Sequence, residues 1–139
     1  MFDISFVTTE PEPQENGWLA LRGRTTLGSH REEFLAALGT WSRADYERHW
    51  SDAARRLISD SDSTLFFTSA FQFCWTMWRV KEEVFVQERL LIPTTWLEPF
   101  DPTDPWRQIG KRHTVSDDGS PISEWRLPFD DIREFLYRR

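Results

Sequence analysis

The spacing of apolar positions changes several times along the chain, and each change predicts an element. Residues 2 to 8 are β-prone, and the following run Glu10–Gly17, with Pro11 and Pro13, breaks regular structure. Trp18–Leu27, bracketed by glycines, reads as a strand bent at Gly23 and as the antiparallel partner of the first. From His30 to Leu38 the apolar residues Phe34, Leu35 and Leu38 fall at helical spacing. Ser29 stands as N-cap, Glu32 in capping-box register and Gly39 as the stop, so a helix is predicted there. A longer helix starts at Ser42, with Asp45 at its third position. Tyr46, Trp50, Ala53, Ala54, Leu57 and Ile58 recur at steps of three and four, opposite a charged face of Arg43, Glu47, Arg48, Asp52 and Arg55. The turn Ser59–Ser63 ends it.

Residues 64 to 92 shift to period two. Phe71, Phe73, Trp75 and Met77 alternate with Gln72, Cys74, Thr76 and Trp78, and Lys81-Glu82 permits a turn into Glu83–Ile92, giving adjacent antiparallel strands. Pro93 opens an irregular segment through Pro105, longer than an ordinary loop and therefore functional or packed by its own Trp96, Phe100 and Trp106. Residues 107 to 127 predict a last hairpin turning at Asp117-Asp118-Gly119. The closing Pro128–Leu136 starts as a helix should, with acids in its first turn, and runs on to Arg138 and Arg139. The element order predicts an α+β fold, a mainly antiparallel sheet packed with two or three helices, in a single domain over residues 1–139.

Composition narrows the function classes. The 139 residues hold 23 Asp and Glu against 17 Lys and Arg, a formal charge of −6, which argues against a nucleic-acid grip because phosphate binding needs a concentrated cationic face. Eight Trp are present, and the cations are nearly all Arg, with Lys81 and Lys111 the exceptions. Cys74 is the single cysteine, so no intrachain disulfide or thiolate metal site can form, and its apolar neighbours mark it as a small buried residue. The start, Met1-Phe2-Asp3-Ile4-Ser5, lacks the features of a secretion signal, and no apolar run reaches the ~20 residues of a membrane span. A cytoplasmic setting without a membrane partner is the expectation.

Candidate chemistry is sparse. The glycines form no phosphate-binding or dinucleotide motif, and His30, His49 and His113 show no metal-type spacing; His49 reads as a surface or boundary residue. The pairs Asp117-Asp118 and Asp130-Asp131 suit a turn and a helix start better than acid–base catalysis. No catalytic residue, metal or cofactor is expected, and the protein is not expected to be an enzyme. What stands out is charge. Between Glu98 and Asp131 eight acids face four bases, a local balance of −4. Such a face can simply solvate the fold, or it can dock a basic protein and steer its approach. The docking reading selects Asp60, Asp62, Glu98, Asp101, Asp104, Asp117 and Asp118 as contacts, with Trp96 or Trp106 as an anchor. The alternative is a small-molecule module whose pocket is lined by the rings of Phe71–Trp78.

The run Trp41-Ser42-Arg43-Ala44-Asp45-Tyr46-Glu47-Arg48-His49-Trp50, continuing through Ser51-Asp52-Ala53-Ala54-Arg55-Arg56-Leu57, resembles a helix of the small immunity proteins of contact-dependent growth inhibition systems of Gram-negative bacteria, the CdiI type. The glycine-bracketed strand from Trp18, the segment Val86-Gln87-Glu88-Arg89-Leu90-Leu91 and the ending Trp125–Leu136 are similar to that family's flanking and closing elements. His49 departs from the pattern, which has Gln there. The resemblance implies a cytoplasmic, non-enzymatic protein that binds and neutralises the toxic C-terminal domain of a cognate effector, often a nuclease and hence basic. It transfers no contact residues.

Overall fold

A computed structural model describes residues 1–69, 73–90 and 104–139, without the side chain of Gln108. Its strands are β1 (Phe2–Phe6), β2 (Glu12–Pro13), β3 (Leu19–Leu27), β4 (His30–Ala37), β5 (Ser63–Ser69), β6 (Phe73–Val80), β7 (Glu83–Leu90) and β8 (Trp125–Pro128). The helices are α1 (Arg43–Arg55) and α2 (Phe129–Tyr137). The α+β class holds, with its strands divided between two antiparallel sheets. In the first, β3 pairs with β4 on one side and with β1 and β2 on the other. The second runs in the order β5-β6-β7-β8. No helix among the described residues is long and apolar enough to cross a membrane.

The expected helix over His30–Leu38 is strand β4. Gly28 takes φ +64°, and Gly28-Ser29 closes a two-residue turn with Leu27 opposite His30. Glycine in the first central position is what a hairpin turn of this kind requires, and it holds β4 in register along all of β3. Phe34 and Leu35 therefore point to opposite faces. Phe34 lies against Gly23, where a Cβ would sit 2.3 Å from the ring. Gly23→Ala is thus expected to destabilise the fold by about 1–3 kcal/mol through overpacking. Phe34→Leu should recover part of that loss in a urea titration, and a fully additive double variant would refute the contact.

The core lies between the sheets. Phe2, Ile4, Leu27 and Ala36 of the first face Phe66, Trp75, Met77, Val84 and Val86 of the second, with α1 and α2 closing the sides through Trp50, Ala53, Ile132 and Phe135. Trp75 Nε1 donates to Thr25 Oγ1 at 3.0 Å, both groups buried, so one hydrogen bond crosses from sheet to sheet. Cys74 is buried on the other face of the second sheet with Leu65 and Phe67, and burial pushes its thiol up to about 11.

Helices also cover the strand edges, whose unpaired main-chain groups would otherwise be exposed or unsatisfied. α2 ends beside β1, where Arg138 donates to the Phe2 carbonyl at 2.8 Å and Arg139 to that of Ile4. α1 lies along β5. Trp50 Nε1 donates to the Phe67 carbonyl at 2.8 Å, and Thr64 Oγ1 donates to the Ala53 carbonyl at 2.8 Å. The start of α1 follows the sequence reading: Ser42 accepts from the Asp45 N–H, and Asp45 accepts from the Ser42 N–H.

Candidate protein-binding face

Residues 104–124 form a strap across the outer face of the second sheet. It starts at a 3-10 turn, Pro105–Gln108, where Trp106 packs against both core clusters. Ile109 covers Leu65, Phe67 and Cys74. Trp78 Nε1 on β6 then donates to the Gly110 carbonyl at 3.0 Å, and Gln87 Nε2 on β7 donates to the His113 carbonyl and to Glu124, each at 2.8 Å. Arg112 lies 3.9 Å above the Phe85 ring and donates from Nε to Glu124 at 2.7 Å. That pairing holds the Glu124 carboxyl below its usual range.

The expected hairpin over 107–127 is reduced to a short turn. Val115 bridges Pro121, the Ile122 N–H meets the Thr114 carbonyl at 2.9 Å, and the strand that follows, β8, pairs with β7 instead. Asp118 is a working part of this turn: it accepts from the Ser116 hydroxyl and, at 2.9 Å, from the Ser120 N–H, bonds that lower its pKa. Asp117 is exposed beside it.

The path of the strap sorts the candidate contacts. Asp104 and Trp106 fall at the β5 end. The Arg56 guanidinium, 5.2 Å over the Trp106 ring, ties them to the turn that carries Asp60 and Asp62. Asp60 and Asp62 are exposed and make no ion pair among the described residues; Asp104 pairs loosely with Arg107 at 3.9 Å. Asp117 and Asp118 sit in a separate turn, past the point where the strap meets β7 through Gln87 and the His113 carbonyl. Trp96, Glu98 and Asp101 lie outside the described residues. The rings weighed as pocket lining are dispersed: Trp75 is in the core, Phe73 is exposed, Trp78 is under the strap, and Phe71 lies outside the described residues.

Between α1 and the strap opens a cleft of about 260 Å³, bordered by Trp41, Trp106, Pro105 and one stripe of α1, Asp45, Arg48, His49 and Asp52. Its floor corrects the sequence reading of His49, which is buried rather than at the surface or boundary. Nε2 accepts the Phe67 N–H at 3.0 Å, which places the ring proton on Nδ1. Trp106 stacks on the ring at 5.6 Å and Trp41 lies 4.9 Å away. Burial drives the imidazole pKa down to about 3, so it is neutral at physiological pH. The signal for this burial was available in the chain, because His49 is three residues after Tyr46 and four before Ala53, inside the apolar stripe.

The described residues gather no group of three His, Cys, Asp or Glu able to hold a metal. What the β5 end presents is ring surface and exposed carboxylates, the makings of a surface for contacts with another macromolecule. Comparison with known proteins supplies the family. The family model described as the CdiI N-terminal domain matches residues 36–135, and the chain belongs to that family. Among solved structures, a chain from a "CdiA-CT/CdiI toxin and immunity complex from Enterobacter cloacae" has the same fold, with a TM-score of 0.88 at 24% identity over 99% of this chain and 97% of that one. No curated protein matches the sequence.

Proposed function

We propose that the chain is an immunity protein. It binds the toxic C-terminal domain of a cognate contact-dependent growth inhibition effector and neutralises it by one-to-one occupation in the cytoplasm, without turnover. The family match over residues 36–135 carries this reading. The toxin proposed is basic and of nuclease class, since an enzyme that grips a polyanion has a cationic groove, and an acidic surface complements it. Asp60, Asp62 and Asp104 with Trp106 form the leading contact group, Asp117 and Asp118 a second, and Trp96, Glu98 and Asp101 extend the set. The whole of residues 1–139 acts as one unit, with no cofactor, nucleic acid or membrane required.

The test is co-expression with the cognate toxin domain in a sensitive cell. Growth and a one-to-one complex are expected with the chain present, and arrest without it; killing that continues beside folded, abundant chain would defeat the immunity reading. Asp60→Lys, Asp62→Lys and Asp104→Lys together should slow association by about ten- to a hundredfold at low salt and flatten its salt dependence. An unchanged association rate would remove the acidic face from the interface and leave immunity standing.

A further inference from the structure

α1 and α2 cover the outer edges of β5 and β1, and the edge strands β2 and β8 have only 2 and 4 residues. β4, with 8 residues, is the long edge that no other element closes among the described residues. The register says which of its groups are open. The Val7 N–H donates to the Arg22 carbonyl at 2.9 Å, so Arg22 turns its main-chain groups away from β4. Leu35, its register partner, turns its own away from β3. By the two-residue alternation of an antiparallel ladder, Arg31 and Glu33 do the same, and both residues are exposed. The N–H and C=O of Arg31, Glu33 and Leu35 have no hydrogen-bond partner among the described residues. At Ala37, the next outward position, the carbonyl is closed by the Tyr46 hydroxyl at 2.7 Å.

The side chains beside this edge narrow its occupant. Glu32 of β4 and Glu88 of β7 are close enough to repel; burial, and then Glu32, hold the Glu88 carboxyl above its ordinary range. Glu32 has the His30 ring at 3.5 Å, and Glu88 makes no ion pair among the described residues. Leu90 and its partner Phe73, the next pair on that face of the second sheet, are 57% and 42% exposed. Open N–H and C=O groups at a two-residue repeat are matched by an extended main chain. Two carboxylates without a cation are matched by a basic side chain on it. A second β4 is a poor match. Pairing about a two-fold axis at Glu32 or Glu33 sets that residue against its own image, and an axis at Phe34 calls on the Ala37 carbonyl that Tyr46 already holds. We infer that β4 takes an added strand from the toxin domain, with a basic side chain of that strand against Glu32 and Glu88, a step that rests on the immunity reading.

Amide hydrogen exchange of the free chain and of its one-to-one complex with the toxin domain tests this. In the free chain the Arg31, Glu33 and Leu35 amides should exchange fast, and those of Glu32 and Phe34, which face β3, slowly. In the complex the first three should slow by about a hundredfold or more. Glu33→Pro removes one open N–H and spares the ladder to β3, so it should weaken the complex by about ten- to a hundredfold. Glu33→Ala keeps that N–H and should bind within about threefold of the wild type. Glu32→Gln with Glu88→Gln should cost about tenfold and lessen the salt dependence. If the proline variant does not fold, exchange in the wild type decides. Arg31, Glu33 and Leu35 amides that are already slow in the free chain, or that stay fast in a complex that forms, would overturn the added strand and leave immunity standing. So would full affinity in a folded Glu33→Pro or in the double Gln variant. A chain that never binds the toxin defeats the immunity reading and the added strand with it.

Discussion

Lowering the pH from about 6.5 should destabilise this protein by about 1.4 kcal/mol per pH unit through His49 alone. The imidazole is buried, its Nε2 is committed to the Phe67 N–H, and burial sets its folded pKa near 3. In the unfolded chain the same group takes a proton near the ordinary value of about 6.5. Between those two values the unfolded state binds more protons, so stability falls as pH falls, by roughly 5 kcal/mol across the window. Above pH ~6.5 both states are neutral and the effect vanishes. The charged groups around the cleft, Asp45, Arg48 and Asp52 of α1, leave one negative charge in excess at its solvent-facing rim, but burial decides the ring's state, and its neighbours from β5 and the strap, Phe67 and Trp106, carry no charge. None of these groups rescues the protonated form.

His49→Gln isolates the effect. A glutamine Oε1 can accept the Phe67 N–H without a titratable ring. Urea unfolding of both proteins between about pH 6.5 and pH 5 should show the wild type losing about 2 kcal/mol more than the variant. Equal losses would mean that His49 titrates freely and is not the buried acceptor described. Below pH ~4 Asp45, Asp118 and Glu124, whose pKa values are lowered by the bonds they accept, add to the acid loss in both proteins, so the diagnostic window is the upper one.

Local rules made α1 legible. Its capping box and apolar stripe are both short-range, and both recur in the structure. The same rules misread β4, because Phe34, Leu35 and Leu38 meet the helical spacing while the run His30-Arg31-Glu32-Glu33 hides the strand alternation. Gly28 decides the matter, since a turn there zips β4 onto β3, and the gain from pairing a full strand exceeds a weak local helix preference. The division into two sheets was hidden for a related reason: nothing in a strand's composition says which sheet it joins. The candidate contacts failed to separate in sequence because their grouping depends on the strap. Asp104 lies far along the chain from Asp60 and Asp62, yet a stacked Arg56–Trp106 pair joins them, whereas Asp117 and Asp118, closer in sequence to Asp104, are carried into a separate turn beyond the strap's contact with β7.

Trp50→Ala should remove a large part of the stability of this fold. The side chain is fully buried and its indole touches Phe6, Phe34 and Tyr46. Trp50→Ala is expected to cost about 3–5 kcal/mol from lost burial and the cavity left behind, a large share of the ~5–15 kcal/mol that holds a domain of ordinary stability. Part of the role is polar. Nε1 donates to the Phe67 carbonyl of β5, and Trp50→Phe removes that hydrogen bond at about 1 kcal/mol while retaining most of the apolar volume. The two variants therefore separate packing from edge covering. Urea midpoints in the order wild type, Trp50→Phe, Trp50→Ala are expected, with native near-ultraviolet spectra retained in the Phe variant. A Phe variant as stable as the wild type would show that α1 holds β5 by packing alone. The consequence for function follows from position. His49 and Trp50 grip the N–H and the carbonyl of the same residue, Phe67, and Trp106 stacks on the His49 ring. Loosening β5 from α1 thus disturbs the surface that carries Trp106, so Trp50→Phe should weaken toxin binding beyond what its folded fraction accounts for.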